Sequence, residues 1–571
     1  MLFSKPDLVL LHPPSIYDFR RITTVPSPIS DLVPSTPIFE MYPIGFSFLG
    51  EYLERNGINT RVINLAQRMM DKERFDVPRF LSKLNPAAFG IDLHWLTHTQ
   101  GALELARLLK EIHPQIPTIF GGYSASYFHR QLMDYPQVDY VLRGDSTEEP
   151  LRMLVEKIIE KGDLDSVPNL TYRDVNGGVV ENPLTYSPAS LEYLGNNYAY
   201  IIRSALKYGD WKSLKAFWNW WKYPITMVLT CRGCTQGCAF CGGSQDALSR
   251  YCGRGQIAFR PPERIAYDVE LLSKLSAAPI FLVGDINQAG RDYAMETLEL
   301  ISHLDPKNHL IFELFEPPSR DFFDRVASDL DHFDFQMSPE SHDEEIRAAT
   351  GKQYPNEDLE RTIGWALEAG CGRFDVFFMI GLPGQSKDSV METVEYCAEL
   401  LRNFGPRVNP SMGTLGPFID PGCAYFLEPE RFGYRIIHKT LEDYRQASFA
   451  PHWRDLLAYE TKWMSRQDIV DVTYESMLAL NAIKVKNGLV SQEHASLNDR
   501  RIRDTMSLLK MVDNISALQD PKLQLLEMEK VHHEAVKLSD QLYLPKEELM
   551  WPMPGPRFKY LNIMRIMLGW I

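Results

Sequence analysis

Short apolar segments alternate with helix-like segments through residues 1–160 of the chain. The segments that predict strands are 8–11, 60–65, 88–93, 117–120 and 139–142. Between them, apolar residues recur with helical periodicity, most clearly over 44–56 and 100–113. Strands that alternate with helices at this spacing predict a parallel, doubly wound sheet, which binds ligands at the carboxyl ends of its strands. Residues 1–160 are therefore expected to form a Rossmann-like α/β domain.

Small and polar residues follow these predicted strands, at the end of the sheet where a ligand would bind. They are Pro13, Pro14 and Ser15 after the first strand, Gly121 and Gly122 after the fourth, and Gly144, Asp145 and Glu148 after the fifth. The GxGxxG motif of dinucleotide-binding domains is absent, which disfavours a dinucleotide. A domain that binds another nucleotide, or no ligand, stays open at this point.

A second series of strand segments begins near residue 225. Its members are 225–229, 280–283, 309–314, 333–337 and 375–380. This series predicts a partial (β/α) barrel over residues 226–420, with an active site at the carboxyl ends of its strands. Long helical segments follow at 438–450, 466–486, 497–515 and 521–540. They predict a helical C-terminal domain over residues 421–571.

Aromatic and basic residues crowd the connector between the two halves, residues 161–225. The aromatic residues are Tyr208, Trp211, Phe217, Trp218, Trp220, Trp221 and Tyr223, and lysines at 207, 212, 215 and 222 lie among them. A helix clamped between two domains is the expected structure of this connector. A lining for the entrance of an apolar substrate, or a contact with a membrane surface, stays open.

The last residues of the chain predict an amphipathic helix. Its apolar face would contain Tyr560, Ile563, Met564, Met567, Leu568 and Ile571. Docking of this face onto the body of the protein is the expected role. A peripheral contact with a membrane or a lipid is the alternative.

Composition limits the classes of function. The chain has 571 residues, enough for two to four domains, with 44% hydrophobic and 24% charged residues, as in ordinary globular proteins. Its formal charge of −15, with no long basic tract, argues against nucleic-acid binding. The sequence contains no run of eighteen apolar residues, so no transmembrane helix is predicted. Five of the eight cysteines fall between Cys231 and Cys252, and with no signal peptide this clustering predicts a reducing, cytoplasmic location.

Three of those cysteines, Cys234, Cys238 and Cys241, form a CxxxCxxC triplet. Three thiolates from one short loop suit a [4Fe–4S] cluster whose fourth iron is open to another ligand. With Cys231 the run also contains two CxxC pairs, but a zinc site usually needs a longer spacer between such pairs. We therefore predict the triplet as the metal ligands and Cys231 as a bystander.

The cysteine loop, with Phe240 before its last cysteine and two glycines after it, resembles the cluster loop of radical S-adenosylmethionine (SAM) enzymes. The resemblance implies a [4Fe–4S] cluster and SAM as cofactors, with SAM contacted by the loop and by turns after the later barrel strands. The residues that match such positions are Phe240, Gly284, Asp285, Ser338, Glu340 and Gly381. The Gly284–Asp285 turn departs from the Gly-Gly-Glu turn of the family, and the resemblance would place the SAM ammonium at Asp285.

The N-terminal layout resembles the cobalamin-binding domain that precedes many radical SAM domains. The resemblance implies cobalamin contacts at Pro13, Pro14, Ser15, His94, Gly121, Gly122, Gly144, Asp145 and Glu148. The Asp-x-His-x-x-Gly motif that supplies a cobalt ligand in some of these domains is absent after the first strand. His94 follows the third strand instead, and it is either a cobalt ligand or a residue that lines the pocket.

Together these resemblances imply a cobalamin-dependent radical SAM enzyme that methylates an unactivated carbon through a 5′-deoxyadenosyl radical and methylcobalamin. Rearrangement, cyclisation or carbon–carbon bond formation without methyl transfer stays open, as does a non-catalytic iron–sulfur sensor. The expected partners are a small-molecule, lipid-like or peptide substrate and a reductase, ferredoxin or flavodoxin as electron donor. No catalytic side chain can be named from the sequence.

Overall fold

The computed structural model describes residues 5–28, 39–41, 43–71, 74–195, 197–210, 220, 224–416, 419–541, 548 and 550–567. Its N-terminal domain is a seven-stranded sheet in the order β2-β1-β3-β4-β5-β6-β7. The strands are β1 (Leu8–His12), β2 (Thr60–Asn64), β3 (Ala88–Asp92), β4 (Thr118–Gly121), β5 (Tyr140–Leu142), β6 (Leu170–Arg173) and β7 (Val179–Glu181). The helices are Gly45–Arg55, Leu65–Asp71, Val77–Leu81, Thr99–Ile112, Tyr123–Tyr127, His129–Leu132 and Glu148–Glu160. Strands β1 to β5 are parallel, and β6 and β7 extend the sheet as an antiparallel hairpin.

Both faces of this sheet are covered by helices. Val9 and Leu11 of β1 belong to one apolar cluster, whereas Leu8 and Leu10 belong to another on the opposite face. Burial on both sides explains why the strands read as continuous apolar runs. The predicted doubly wound architecture is confirmed, and its five predicted strands match the observed ones to within one residue at each end.

The second sheet contains six parallel strands in the order β15-β14-β13-β12-β11-β8. They are β8 (Thr226–Leu229), β11 (Ile280–Val283), β12 (Leu310–Leu314), β13 (Phe333–Glu340), β14 (Phe374–Ile380) and β15 (Val408–Thr414). The helices that accompany them are Gln245–Cys252, Pro262–Leu275, Arg291–Ser302, Arg320–Asp329, Glu344–Ala349, Asn356–Glu368 and Lys387–Phe404. A short antiparallel pair, β9 (Cys231–Arg232) and β10 (Ala258–Phe259), flanks the cysteine loop. Because β8 and β15 are both edge strands, the predicted partial barrel is confirmed.

The C-terminal region is largely helical, as predicted, and it also contains a small antiparallel pair of strands. Its helices are Ala424–Leu427, Leu441–Ala447, Arg466–Lys486, Gln492–Ser516, Pro521–Gln541 and Tyr560–Met567, and its strands are β16 (Tyr434–Ile436) and β17 (Tyr459–Thr461). Sequence reasoning missed strand β15, the β6–β7 hairpin and the antiparallel pairs β9–β10 and β16–β17. Within the described residues, no helix is both long enough and apolar enough to cross a bilayer.

The described residues between 548 and 567, which we call the C-terminal strap, run beneath the barrel. Arg373 and Asn409, at the starts of β14 and β15, donate hydrogen bonds to the Glu548 carbonyl at 3.0 and 3.2 Å. Further along, the Lys559 amide donates to the Leu275 carbonyl at 2.8 Å, near the start of β11. The strap therefore crosses the amino ends of the barrel strands, opposite the cysteine loop.

The connector and the last helix of the chain pack against each other. A connector helix spans Asn197–Tyr208 and contacts the Tyr560–Met567 helix. Ile563 and Met567 pack inward as predicted, whereas Tyr560 is 72% exposed and Met564 is 55% exposed, so the predicted apolar face is wrong at those two positions. Ten members of the two predicted groups lie outside the described residues: Trp211, Lys212, Lys215, Phe217, Trp218, Trp221, Lys222, Tyr223, Leu568 and Ile571.

Two buried arginine–carboxylate pairs hold the N-terminal domain against the barrel. Arg232, on the strand that leads into the cysteine loop, donates to both oxygens of Glu148 at 2.9 and 2.5 Å. Arg254 makes a similar two-bond contact with Asp145. Both guanidinium groups also reach the Ser146 hydroxyl at 3.0 Å. We call these four charged side chains the interdomain clamp.

Pairing is what allows these charges to be buried. Burial alone would raise the pKa of Glu148, but the charge and hydrogen bonds of Arg232 outweigh this effect and hold the pKa below its usual value. Because the pKa is lowered on folding, the stabilisation is present at neutral pH and is lost as the pH falls through the usual carboxylate range.

The substitution Glu148→Gln would leave the Arg232 guanidinium buried without a counter-charge. We expect a destabilisation of about 3–5 kcal/mol, which corresponds to a fall in Tm of roughly 3–4 °C for a chain of 571 residues, measured by thermal denaturation at pH 7. The matched control Glu270→Gln removes one partner of a half-exposed surface pair with Lys274 and should change the Tm by less than about 1 °C. A wild-type Tm for Glu148→Gln would contradict a stabilising role for the clamp.

Candidate active site

One cavity of about 1020 Å³ lies between the two sheets. Gly121, Gly122 and Gly144, at the strand ends of the N-terminal domain, line one part of it, and Cys234 and Cys241 of the cysteine loop line another. The volume is at the upper end of the range for pockets that hold drug-sized ligands. The cysteine loop and the glycine-rich strand ends therefore open onto the same space.

The cysteine triplet lies on a loop whose backbone donates to its sulfur atoms. The Gln236 amide donates to Cys234 Sγ at 3.3 Å, and the Gly243 amide donates to Cys241 Sγ at 3.2 Å. Burial raises the pKa of all three thiols, including Cys238. Within the described chain, no three side chains of His, Cys, Asp or Glu converge on a single metal ion. A [4Fe–4S] cluster gives each cysteine its own iron, so this donor set fits a cluster better than a mononuclear metal.

Two distant segments anchor the loop. The Gly242 amide donates to the Asp420 carboxylate at 2.9 Å, and the Ala239 amide donates to the Thr350 carbonyl at 2.9 Å. Burial raises the pKa of Asp420, which is nearly enclosed beside Cys241. Sequence reasoning missed Asp420 because nothing in its local sequence connects it with a loop so far away in the chain.

Cys231 lies beside the triplet but faces a different neighbour. It is 7% exposed, lines the cavity, and would lie 2.8 Å from a Cβ added to Gly284. Burial raises the pKa of its thiol to about 12. The role of bystander stays a prediction for Cys231.

Glu340, one of the predicted SAM contacts, is buried beside Cys238 at the end of β13. Lys352 Nζ donates to Glu340 Oε1 at 2.6 Å and also to the Ser338 carbonyl. The other carboxylate oxygen of Glu340 is buried and has no hydrogen-bond partner in the part of the chain that the structure describes. The backbone of Glu340 has a φ of +68°, a left-handed conformation that costs a non-glycine residue about 1–3 kcal/mol. An orphaned acceptor on a strained residue is typical of a ligand site.

The carboxylate of Asp285 is occupied by the protein itself. Its Oδ1 accepts from the Asn287 amide at 2.8 Å, and its Oδ2 accepts from the Phe315 amide at 3.0 Å. Glu313, on the neighbouring strand β12, lines the cavity together with Cys234. It accepts from the Gly284 amide at 2.9 Å, and burial raises its pKa. Glu313 is therefore better placed than Asp285 to receive a cationic group in the cavity.

One sequence signal could have identified Glu313 in advance. Glu313 is the single charged residue in the apolar segment Leu310–Leu314. An acidic residue in a buried strand needs a partner, and this pattern marks it as a candidate site residue.

Phe240 and Gly381 lie under a group of buried tyrosines from the C-terminal region. The Tyr425 ring lies 6.5 Å from the Phe240 ring, and the Tyr434 hydroxyl donates to the Gly381 carbonyl at 2.8 Å. Gly381 has a φ of +99°, and an added Cβ would lie 2.6 Å from the Tyr459 hydroxyl. Only glycine fits this turn, and the tyrosines close that side of the barrel.

The glycine-rich strand ends leave room for a bulky ligand. A Cβ added to Gly121 would meet no atom closer than 3.8 Å. A larger residue at this position would therefore extend its side chain into the cavity. At Gly122, in contrast, a Cβ would lie 2.7 Å from His94 Cα, so glycine allows the two loops to approach each other. The cavity continues along the sheet beneath the Gly45–Arg55 helix, where Phe46 and Leu49 line it.

His94 faces this part of the cavity between Trp95 and Tyr123, with ring centroids 4.8 and 5.0 Å away. Burial lowers its pKa to about 4, so the imidazole is neutral at pH 7. Neither ring nitrogen has a hydrogen-bond partner among the residues placed by the structure. A neutral imidazole of this kind can accept a hydrogen bond or bind a metal, so both readings of His94 stay predictions.

The other predicted cobalamin contacts are placed differently. Pro13, Pro14 and Ser15 are buried and do not line the cavity; Pro14 and Ser15 pack against Gly101 in the Thr99–Ile112 helix. Asp145 and Glu148 do line it, but their carboxylates are held in the interdomain clamp. Sequence reasoning found the correct strand ends without finding how these two carboxylates are used.

Family comparisons agree with this arrangement of sites. The family described as the radical SAM superfamily matches residues 228–397, and the B12 binding domain matches residues 33–152. The chain therefore combines a B12-binding domain with a radical SAM domain. The cofactors of these two families are a [4Fe–4S] cluster with SAM, and cobalamin.

One similar protein of known function is the hopanoid C-3 methylase of Methylococcus capsulatus. It is 26% identical over 278 residues, which cover 48% of this chain and 48% of the methylase. The match therefore spans about half the length of that relative.

Two solved structures share the fold. The radical SAM methyltransferase TsrM from Kitasatospora setae, with cobalamin and a [4Fe–4S] cluster bound, has a TM-score of 0.56 at 15% identity, with 88% of this chain and 99% of that chain covered. The cobalamin-dependent SAM radical enzyme OxsB, with aqua-cobalamin and SAM bound, has a TM-score of 0.58 at 12% identity, with 99% and 84% covered. At such identities the likeness concerns the fold.

We expect Cys238→Ala to abolish assembly of the cluster, because one of its three iron ligands is lost. Cobalamin binding should persist, since its site lies on the other domain. The measurement is iron, sulfide and corrinoid content after anaerobic reconstitution. Cys231→Ala is the matched control and should keep a full complement of iron. Iron loss in Cys231→Ala would make Cys231 a ligand, and joint loss of both cofactors in Cys238→Ala would contradict separate sites.

We expect Glu313→Gln to weaken SAM binding by about tenfold or more, because a charge-assisted hydrogen bond contributes roughly 1.5–3 kcal/mol. Asp285→Asn should change SAM affinity by less than about threefold, since protein amides already occupy both oxygens. Equilibrium dialysis of radiolabelled SAM against the cluster-loaded protein measures both. If Asp285→Asn weakened SAM binding more than Glu313→Gln does, Asp285 would be the residue that binds the SAM ammonium group.

Proposed function

We propose that this chain is a cobalamin-dependent radical SAM enzyme that transfers a methyl group to an unactivated carbon of a small-molecule substrate. One observation carries the proposal: the same cavity is lined both by the cysteine loop and by the glycine-rich strand ends of the B12-binding domain. A substrate in that cavity can be reached from both sides.

When bound, the cluster and SAM supply a 5′-deoxyadenosyl radical, and cobalamin supplies a methyl group. An unactivated carbon offers no lone pair to an ordinary methyl donor, so removal of a hydrogen atom has to come first. A reductase, ferredoxin or flavodoxin would provide the electron that starts the reaction.

The residues of the chain prepare the site for this chemistry. Cys234, Cys238 and Cys241 would hold the cluster, and Glu313 and Glu340 would hold the polar groups of SAM. Lys352 keeps Glu340 in place through its ion pair. The buried walls of the cavity keep water away from a reactive radical.

Methyl transfer is favoured over other outcomes by the similar proteins. The names of both the hopanoid methylase and TsrM describe methyl transfer.

The test is an anaerobic assay of the full chain with a reconstituted cluster, added hydroxocobalamin, SAM and a strong reductant, analysed by mass spectrometry. We expect 5′-deoxyadenosine, S-adenosylhomocysteine and a retained corrinoid spectrum. Cys238→Ala is the control and should retain corrinoid while forming neither product. Deoxyadenosine without corrinoid or S-adenosylhomocysteine would point to radical chemistry without methyl transfer. Intact SAM in a fully loaded protein would overturn the proposal.

A further inference from the structure

The cavity has a second arm that extends away from the cysteine loop. We call it the apolar shaft and define it by six lining residues from three helices: Ile201, Ile202, Leu272, Leu275, Ile563 and Met567. Four of them, Ile202, Leu275, Ile563 and Met567, belong to a small apolar cluster separate from the main barrel core. The C-terminal strap supplies one wall of the shaft.

The shaft begins one strand length from the cysteines. The cysteine loop follows the carboxyl end of β8, whereas Leu275 precedes the amino end of β11, which pairs in parallel with β8. Four residues of parallel strand span roughly 13 Å. Met227, Leu229, Phe281 and Val283 line the cavity along this length, so the two ends are continuous.

Three polar side chains near the shaft, those of Tyr198, Trp220 and Ser276, already have hydrogen-bond partners in the protein. The Tyr198 hydroxyl accepts from the Met227 amide at 2.9 Å and donates to the Met227 carbonyl. The Trp220 Nε1 group donates to the Ile225 carbonyl at 2.8 Å, and the Ser276 hydroxyl is bonded to backbone groups on both sides. These residues therefore present apolar surface to the shaft.

Charge is confined to the opposite end of the cavity. Asp92, Asp145, Glu148, Arg232 and Glu313 line the region near the cysteine loop and the strand ends of the B12-binding domain. Of the described residues in the shaft, none carries a charge. The cavity thus has a polar end, which suits the cofactors, and an apolar end. A polar ligand at the apolar end would lack hydrogen-bond partners.

We propose that the apolar shaft binds the hydrocarbon body of a lipid-like substrate and directs one of its carbons toward the cysteine loop. This inference rests on the proposed function and adds the class of substrate. Burial of hydrocarbon is favourable in such a shaft, whereas the polar groups of an amino acid, peptide or sugar would lose water without gaining a hydrogen bond.

The test uses the cofactor-loaded full chain and two fluorescent apolar probes, cis-parinaric acid for a linear chain and dehydroergosterol for a fused-ring body. We expect saturable binding of at least one of them. Ile563→Trp, which fills the shaft, should weaken that binding at least tenfold. Met564→Trp is the matched control, because the neighbouring side chain points outward, and it should bind as the wild type does. The probe that binds distinguishes a linear from a polycyclic substrate.

Both variants should keep the iron and corrinoid content of the wild type, because the cysteine loop and the glycine-rich strand ends lie away from the shaft. If Ile563→Trp is unstable, Ile201→Trp on the facing helix makes the same test. Equal probe binding by the shaft variant and the control, or no saturable binding by the wild type, would overturn the shaft proposal. Failure of wild-type SAM cleavage would instead count against the proposed function.

Discussion

The position of the two domains depends on buried charge. Arg232 and Arg254 lie on either side of the cysteine loop in the sequence, and their carboxylate partners lie at a strand end of the B12-binding domain. A buried guanidinium without its partner is strongly unfavourable, so a small separation of the domains is opposed by both pairs together. The same contacts that stabilise the interface therefore set the distance between the cysteine loop and the glycine-lined strand ends.

Local patterns predicted most of the architecture. The parallel strands β1 to β5, β8 and β11 to β14 and the CxxxCxxC loop depend on residues that are close in sequence, so they could be found without the fold. Strand β15 could not, because Pro410 and Gly413 weaken its apolar pattern. Proline is tolerated there because β15 is an edge strand. The β16–β17 pair has only three residues in each strand and gave no usable periodicity.

The chemistry of individual carboxylates was harder to predict than their positions. Asp285 has the expected place in the chain, but its oxygens accept from amides that include Phe315, thirty residues away. Asp145 and Glu148 lie at the expected strand end, yet arginines of the other domain occupy them. In each case the use of the carboxylate is decided by tertiary partners, and a single sequence does not reveal them.

The strap beneath the barrel has a consequence for assembly. The hydrogen bond from Ser276 to Arg557 joins residues 281 positions apart, and that from Lys559 to Ser273 joins residues 286 positions apart. Bringing such distant residues together costs loop-closure entropy until the intervening chain is ordered. We therefore expect docking of the strap to be a later step of assembly than formation of the sheet that carries the cysteine loop.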